Sequence, residues 1–206
     1  MDSSCWTSQL CSVDWSALGI WASVGAEALV ALVILYEVEQ HRRSNFLEEA
    51  SRSDPFDART EIYQTFLETE GATAEAKSDA FCQSLWGNPH LRTKCDRQIV
   101  FFNRLGHLLT PRLISWIVSN EPILQWFPQS VVILWLILRP YIQERRRRAG
   151  RWWARQFEQF VLASVSFLLR NGEGTLEMYH PQRRDLKLDI SKQELRSILG
   201  QLKGAA

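Results

Sequence analysis

Residues 89–109 read PHLRTKCDRQIVFFNRLGHLL. Leu91, Cys95, Ile99, Phe102, Leu105 and Leu109 recur in this stretch at steps of four, four, three, three and four. That spacing puts six apolar side chains on one helix face, about as wide a face as a helix buries. Working outward, the same period appears on both sides. Upstream, Asp54-Pro55 is a cap-plus-proline start for a helix with Ile62, Tyr63, Phe66 and Leu67 four apart, ended by Gly71. A second helix is expected from about Thr73 to Trp86, presenting Phe81 and Leu85, with Asn88-Pro89 as the next punctuation.

Downstream, Thr110-Pro111 repeats the start signal for a helix through Val118. Another opens at Pro128 and meets Pro140, which should kink or split it. A sixth is expected over Arg151–Arg170, with Trp153, Phe157, Phe160, Val161, Ser164 and Leu168 on one face and Asn171-Gly172 as its stop. Leu176 and Met178 against Leu186, Leu188 and Ile190 alternate as strands do, which permits a small β-hairpin; an extended tail fits equally well. Ser191 and Glu194 form a capping box for a short last helix ending near Gly200. The fold class is therefore all-α, a bundle of about six helices.

Composition bounds what such a chain can do. The 206 residues carry 24 Lys+Arg against 23 Asp+Glu, and 46% are apolar. The near-zero balance excludes a histone-like polyanion binder, and the apolar fraction excludes a mainly disordered chain. A mean hydropathy of −0.20 excludes a multi-span transporter, but one span diluted by a polar domain remains compatible.

Residues 16–36, SALGIWASVGAEALVALVILY, supply that span, with Glu27 as the one ionisable group. At about 1.5 Å per residue the helix is about as long as the hydrocarbon layer is thick. Trp15, Trp21 and Tyr36 bracket it as interfacial anchors do. A cleaved signal peptide fits less well, because no Lys or Arg precedes the long apolar run. Asp2 and Asp14 lie before it and His41, Arg42, Arg43 and Arg52 after it, so the positive-inside rule puts the N-terminus outside.

The expected organisation is a short extracytoplasmic tail (1–15), a transmembrane helix (16–36), a helical stalk (37–50), a cytoplasmic helical domain (51–172) and a C-terminal tail with a short helix (173–206). A second span is not expected at 113–138. Pro122 and Pro128 divide that stretch, and a crossing would carry the arginines after it outside. Within the first span, Ser16, Gly19, Ser23 and Ala26 make a small-residue face that leads to Glu27. The helix could self-associate there and satisfy the carboxyl; the bland reading is a single span with one tolerated protonated Glu.

The stretches FFNRLGHLLTPRLISWIV and VVILWLILRPYIQERRRR carry a resemblance, most specific at Trp135, Arg139, Pro140, Ile142 and Arg145. Over residues 15–170 the chain resembles an uncharacterised bacterial family of single-span inner-membrane proteins with a helical cytoplasmic domain. The resemblance implies a location in the bacterial inner (plasma) membrane, and no catalytic residue comes with it.

Enzyme motifs are absent: there is no phosphate-cradling Gly loop, H-E-x-x-H, G-x-S-x-G or CxxC. Cys82, His90 and Cys95 could converge, but zinc wants tighter pairs and a fourth ligand, so buried thiols are favoured and no metal or cofactor is expected. Cys5 and Cys11 would lie outside, as a disulfide or a free pair. His107 reads as a hydrogen-bonded core or interface residue, and Glu48, Glu49, Asp54, Asp57 and Glu61 as a solvated acidic face.

Charge is segregated. Residues 37–81 hold eleven acids and five bases, net −6, whereas 139–155 hold seven Arg and Glu144, net +6. Arg139, Arg145, Arg146, Arg147, Arg148, Arg151 and Arg155, with Trp152 and Trp153, make the candidate surface. Three readings compete for it: contact with the acidic stretch or an acidic protein surface, binding of anionic lipid at the membrane, and, last, nucleic acid. The expected function is a membrane-anchored interaction or sensing module that self-associates as a homo-oligomer through Gly19, Ser23, Ala26 and Glu27. The alternative is a membrane-tethered effector or enzyme acting on lipid or nucleic acid.

Overall fold

The computed structural model describes residues 15–53, 56–109, 120–150, 152–172, 175–180, 182–183 and 185–205. The chain divides into two compact units, 1–48 and 49–206. Among the described residues the first consists of helix α1 (Trp15–Ser53), whose range takes in the expected span and stalk and ends at Ser53. The apolar side chains described on it, from Val24 through Leu29, Val30 and Leu32–Tyr36 to Val38, are exposed on successive positions and therefore on all sides. Among the described residues no helix is long and apolar enough to cross a membrane. The side chains of residues 16–21, which open the span expected at 16–36, lie outside them.

The second unit contains α2 (Phe56–Glu68), α3 (Ala74–Gly87), α4 (Pro89–His107), α5 (Glu121–Trp126), α6 (Pro128–Ala149), α7 (Arg155–Arg170), a hairpin of β1 (Thr175–Tyr179) and β2 (Lys187–Ser191), and α8 (Lys192–Ala205). Its start signals act as the residues dictate. Thr73 caps α3 by accepting from Ala76 N, and Asn88 caps α4 by accepting from Leu91 N with Pro89 at the first helical position. Ser191 and Glu194 close a reciprocal box on α8: Glu194 N donates to Ser191 Oγ, and Ser191 N to Glu194 Oε2. The expected starts at Asp54-Pro55 and Thr110-Pro111, with the helix through Val118, lie outside the described residues.

The core is helix on helix, with α4 central. Its Leu91, Cys95, Ile99, Phe102 and Leu105 are buried, and α4 and α7 share the most extensive helix interface. Gly106 allows that approach: a Cβ built there would stand 2.0 Å from the Gln156 carbonyl oxygen. Phe102 stacks on Phe157 and Phe160, with centroids 6.0 and 6.1 Å away, and the Arg59 guanidinium lies over Phe56, Phe102 and Phe127.

Four expectations need correcting. Proline does not split α6, which is one helix over Pro128–Ala149 with Pro140 inside it. Pro140 cannot donate to the Leu136 carbonyl, but Ser78 Oγ donates to Leu136 O (3.1 Å) and Ile137 O (2.7 Å), so the orphaned acceptor is satisfied from α3. The helix expected from Arg151 starts at Arg155, because Gly150 (φ 101°) and Ala154 (φ 59°) take left-handed backbone that no α-helix contains. Trp153 therefore sits in the turn and not on the α7 face. The last helix runs past Gly200 to Ala205.

Of the two forms open to residues 176–190, the hairpin is the one adopted. It pairs Leu176 with Ile190 and Met178 with Leu188. Leu176, Met178 and Ile190 are buried, as are Leu195, Ile198 and Leu202 of α8, which packs on α7. Residues 175–205 thus contribute to the core of the second unit.

Candidate functional site

The arginine-rich end of α6 meets the turn before α7. Arg146 grips Glu158 with both ends of its fork (3.0 and 2.7 Å), and its Nε donates to the Trp153 carbonyl at 2.8 Å. Arg145 Nη2 lies 3.5 Å from Asp96 Oδ2, with the guanidinium 5.3 Å from the Trp153 ring. Arg147 and Arg148 both donate to Glu144 (3.1 and 2.9 Å), and Arg148 foremost holds that carboxyl below the usual carboxylate range. The three carboxylate partners, Asp96, Glu144 and Glu158, all lie outside the acidic stretch 37–81.

The run of arginines thus clamps α6 to α4 and α7, and places cations in the last turn of α6, where the helix dipole favours them. Arg148 also covers Trp86, 4.2 Å from the ring, which Arg92 approaches at 5.8 Å. Arg155 stacks on Trp152 at 4.5 Å, and that indole is 61% exposed. Arg151 lies outside the described residues. Of the expected surface, Trp152, Arg155, Arg147 and Arg148 face solvent, whereas Arg145, Arg146 and Trp153 are half-buried.

Arg139 behaves differently. Its guanidinium lies over the Trp135 ring at 5.5 Å, and among the described residues it has no carboxylate partner. It borders a groove of about 510 Å³ enclosed by α3, α6 and α8. Glu75 and Asp79 on α3 line one side, Trp135 and Leu136 on α6 the other, and Ile198 of α8 completes it. A second groove, of about 440 Å³, shares Asp79, Pro140 and Gln143 with the first and runs on past Cys82 and Trp86 to Arg147 and Arg148. Sequence reasoning missed both grooves, since their walls come from helices whose lining residues lie more than 50 positions apart. Pro140 was the only local signal.

His180 was also missed. It is buried, and its Nδ1 accepts from Gln182 N (3.2 Å) and Arg183 N (3.0 Å). Two donors at Nδ1 place the ring proton on Nε2, which faces Glu68 Oε1 at 3.2 Å. The imidazole therefore shapes the β1–β2 loop and ties it to the end of α2.

Cys82 and Cys95 are buried free thiols; burial first of all pushes Cys82 up to about 12 and also raises Cys95. His90 is exposed, and among the described residues no group of three or more His, Cys, Asp or Glu could hold a metal ion. His107, expected in a core or interface, is exposed at the end of α4. Asp57 is exposed, and Glu61, expected on a solvated acidic face, pairs with Lys94 of α4. Ser23, Ala26 and Glu27 are exposed on α1; Gly19 belongs to the same helix, and Cys5 and Cys11 lie outside the described residues. No protein-family model, curated protein or solved structure matches this chain.

Proposed function

We propose that the chain is a membrane-anchored interaction or sensing module of the bacterial inner membrane, held by residues 16–36 with its helical unit on the cytoplasmic side. The observation that carries this reading is the exposure of every described apolar side chain from Val24 to Val38 on a continuous helix. A helix that is apolar all round needs an apolar surrounding, and 16–36 taken whole has the length and the interfacial aromatics of a span. The exposed stack of Arg155 on Trp152 supports the same reading, since it can meet an anionic membrane surface.

Self-association would run along the face of Gly19, Ser23, Ala26 and Glu27, with the carboxyl satisfied by the second helix. Membrane two-hybrid pairing of full-length chains measures it. Glu27→Leu should weaken the signal, and an unchanged signal removes the homo-oligomer from the reading. Membrane anchoring has its own test, argued in the Discussion.

A further inference from the structure

The groove between α3, α6 and α8 has features that the fold does not need. Trp135 is 3% exposed, and its Nε1 has no hydrogen-bond partner. A buried indole N–H without an acceptor costs free energy, and such groups are rare unless an absent partner satisfies them. The residue lines the groove, and Arg139, which covers its ring, has no carboxylate partner among the described residues. Cation and orphan donor together call for an anionic oxygen.

The opposite wall calls for a cation. Glu75 and Asp79 stand four residues apart on one face of α3, both exposed, and neither has an ion-pair partner among the described residues. Between these two ends the lining mixes apolar Leu136, Pro140 and Ile198 with polar Gln143, Ser197 and Gln201, and Glu194 adds a third carboxylate. A volume of about 510 Å³ falls within the range of small-molecule sites.

We propose that this groove binds a small zwitterion, an ammonium and an anionic oxygen group on one compact body. Arg139 and the Trp135 N–H take the anionic end, and Glu75 with Asp79 takes the ammonium. Arg139 moves off the indole to meet the ligand, which opens Nε1. Two sources share this chemistry, a free amino acid and an ethanolamine phosphate headgroup. Every residue of the site lies within the unit 49–206, so the proposal stands independently of membrane anchoring.

Calorimetric titration of the full chain in maltoside micelles tests it, since a zwitterionic detergent would compete. The probes are L-leucine and O-phosphoethanolamine; saturable binding of either is expected, and which one binds identifies the source. Trp135→Phe removes the N–H together with the five-membered part of the indole, and Arg139→Gln removes the cation. Each should weaken binding at least about tenfold, the loss expected of a hydrogen bond to a charged group. N-acetyl-leucine and leucine methyl ester, each lacking one charge, should weaken to the same extent where leucine binds. Trp135→Phe should lower the Tm of the free protein through the packing the smaller ring loses, so binding is compared at a temperature where both proteins are folded. If that variant fails to fold, Arg139→Gln and Asp79→Asn decide. Absence of saturable binding by both probes, or binding unchanged in the folded variants, overturns the proposal.

Discussion

Pro140 leaves the Leu136 carbonyl without its helical donor, and one hydroxyl on another helix answers for it. Ser78→Ala removes that donor inside the core, from a serine that also bonds Ile137 O. Urea unfolding should show a loss of about 1–3 kcal/mol, the cost of leaving a buried acceptor unsatisfied. In a Pro140→Ala background the backbone N–H returns, so the same substitution should cost measurably less; equal costs would break the link. Gly106 faces a harder constraint. A methyl group at 2.0 Å from Gln156 O forces α4 and α7 apart, so Gly106→Ala should lose about 2 kcal/mol or more by the same measurement. Titration adds a pH window. The Cys82 thiol is pushed from its ordinary 9.0 up to about 12 by burial, so the unfolded chain releases its proton first. The stability it contributes is complete below pH 9 and is lost as the pH rises toward 12; by about pH 10.5 about 2 kcal/mol should be gone. Cys95 and Tyr141, raised by burial and, for Tyr141, also by its bond to Asp96, act in the same direction. Urea midpoints between pH 8 and pH 10.5 should fall, and fall less in Cys82→Ala.

Elements whose ends are written locally were legible in the sequence. The Leu91–Leu105 face of α4, the Asn88-Pro89 and Pro128 starts and the Ser191–Glu194 box depend on residues within one turn of each other. What depends on long-range partners was not legible. The start of α7 is displaced by the left-handed Ala154, and a sequence shows no signal for an alanine held there by its surroundings. The arginine partners Asp96 and Glu158 and the walls of the groove come from separate helices, so charge segregation along the chain pointed to the wrong acids. Hairpin and α8 make the same point in energy. Alternation allowed strands, but burial of Ile190 and Leu195 against the unit is a tertiary fact. Truncating either to Ala should cost about 2–4 kcal/mol in unfolding free energy, as for core truncations generally. A tail independent of the core would leave the unfolding midpoint where it is.

At the scale of the whole molecule, two different forces could hold this chain at a membrane, and salt separates them. Surface arginines act through screened charge: at about 1 M salt the Debye length is about 3 Å, and such binding disappears. Insertion of 16–36 acts through burial of apolar side chains at about 1.5–3 kcal/mol each, which salt does not weaken. Four of the arginines after Pro140, Arg145 to Arg148, are already engaged with Asp96, Glu144 and Glu158, so the apolar helix should dominate. Full-length protein should therefore stay in the membrane pellet through about 1 M salt and alkaline carbonate. Neutralising Arg147 and Arg148 together to Gln should leave it there. Val24→Arg with Leu29→Arg places two guanidiniums within three residues of the midpoint of 16–36, at about 2.5–3.5 kcal/mol each on insertion scales, and should move the protein to the supernatant. Release by salt alone, with the double arginine variant pelleting as before, would assign the membrane contact to surface charge and remove the span.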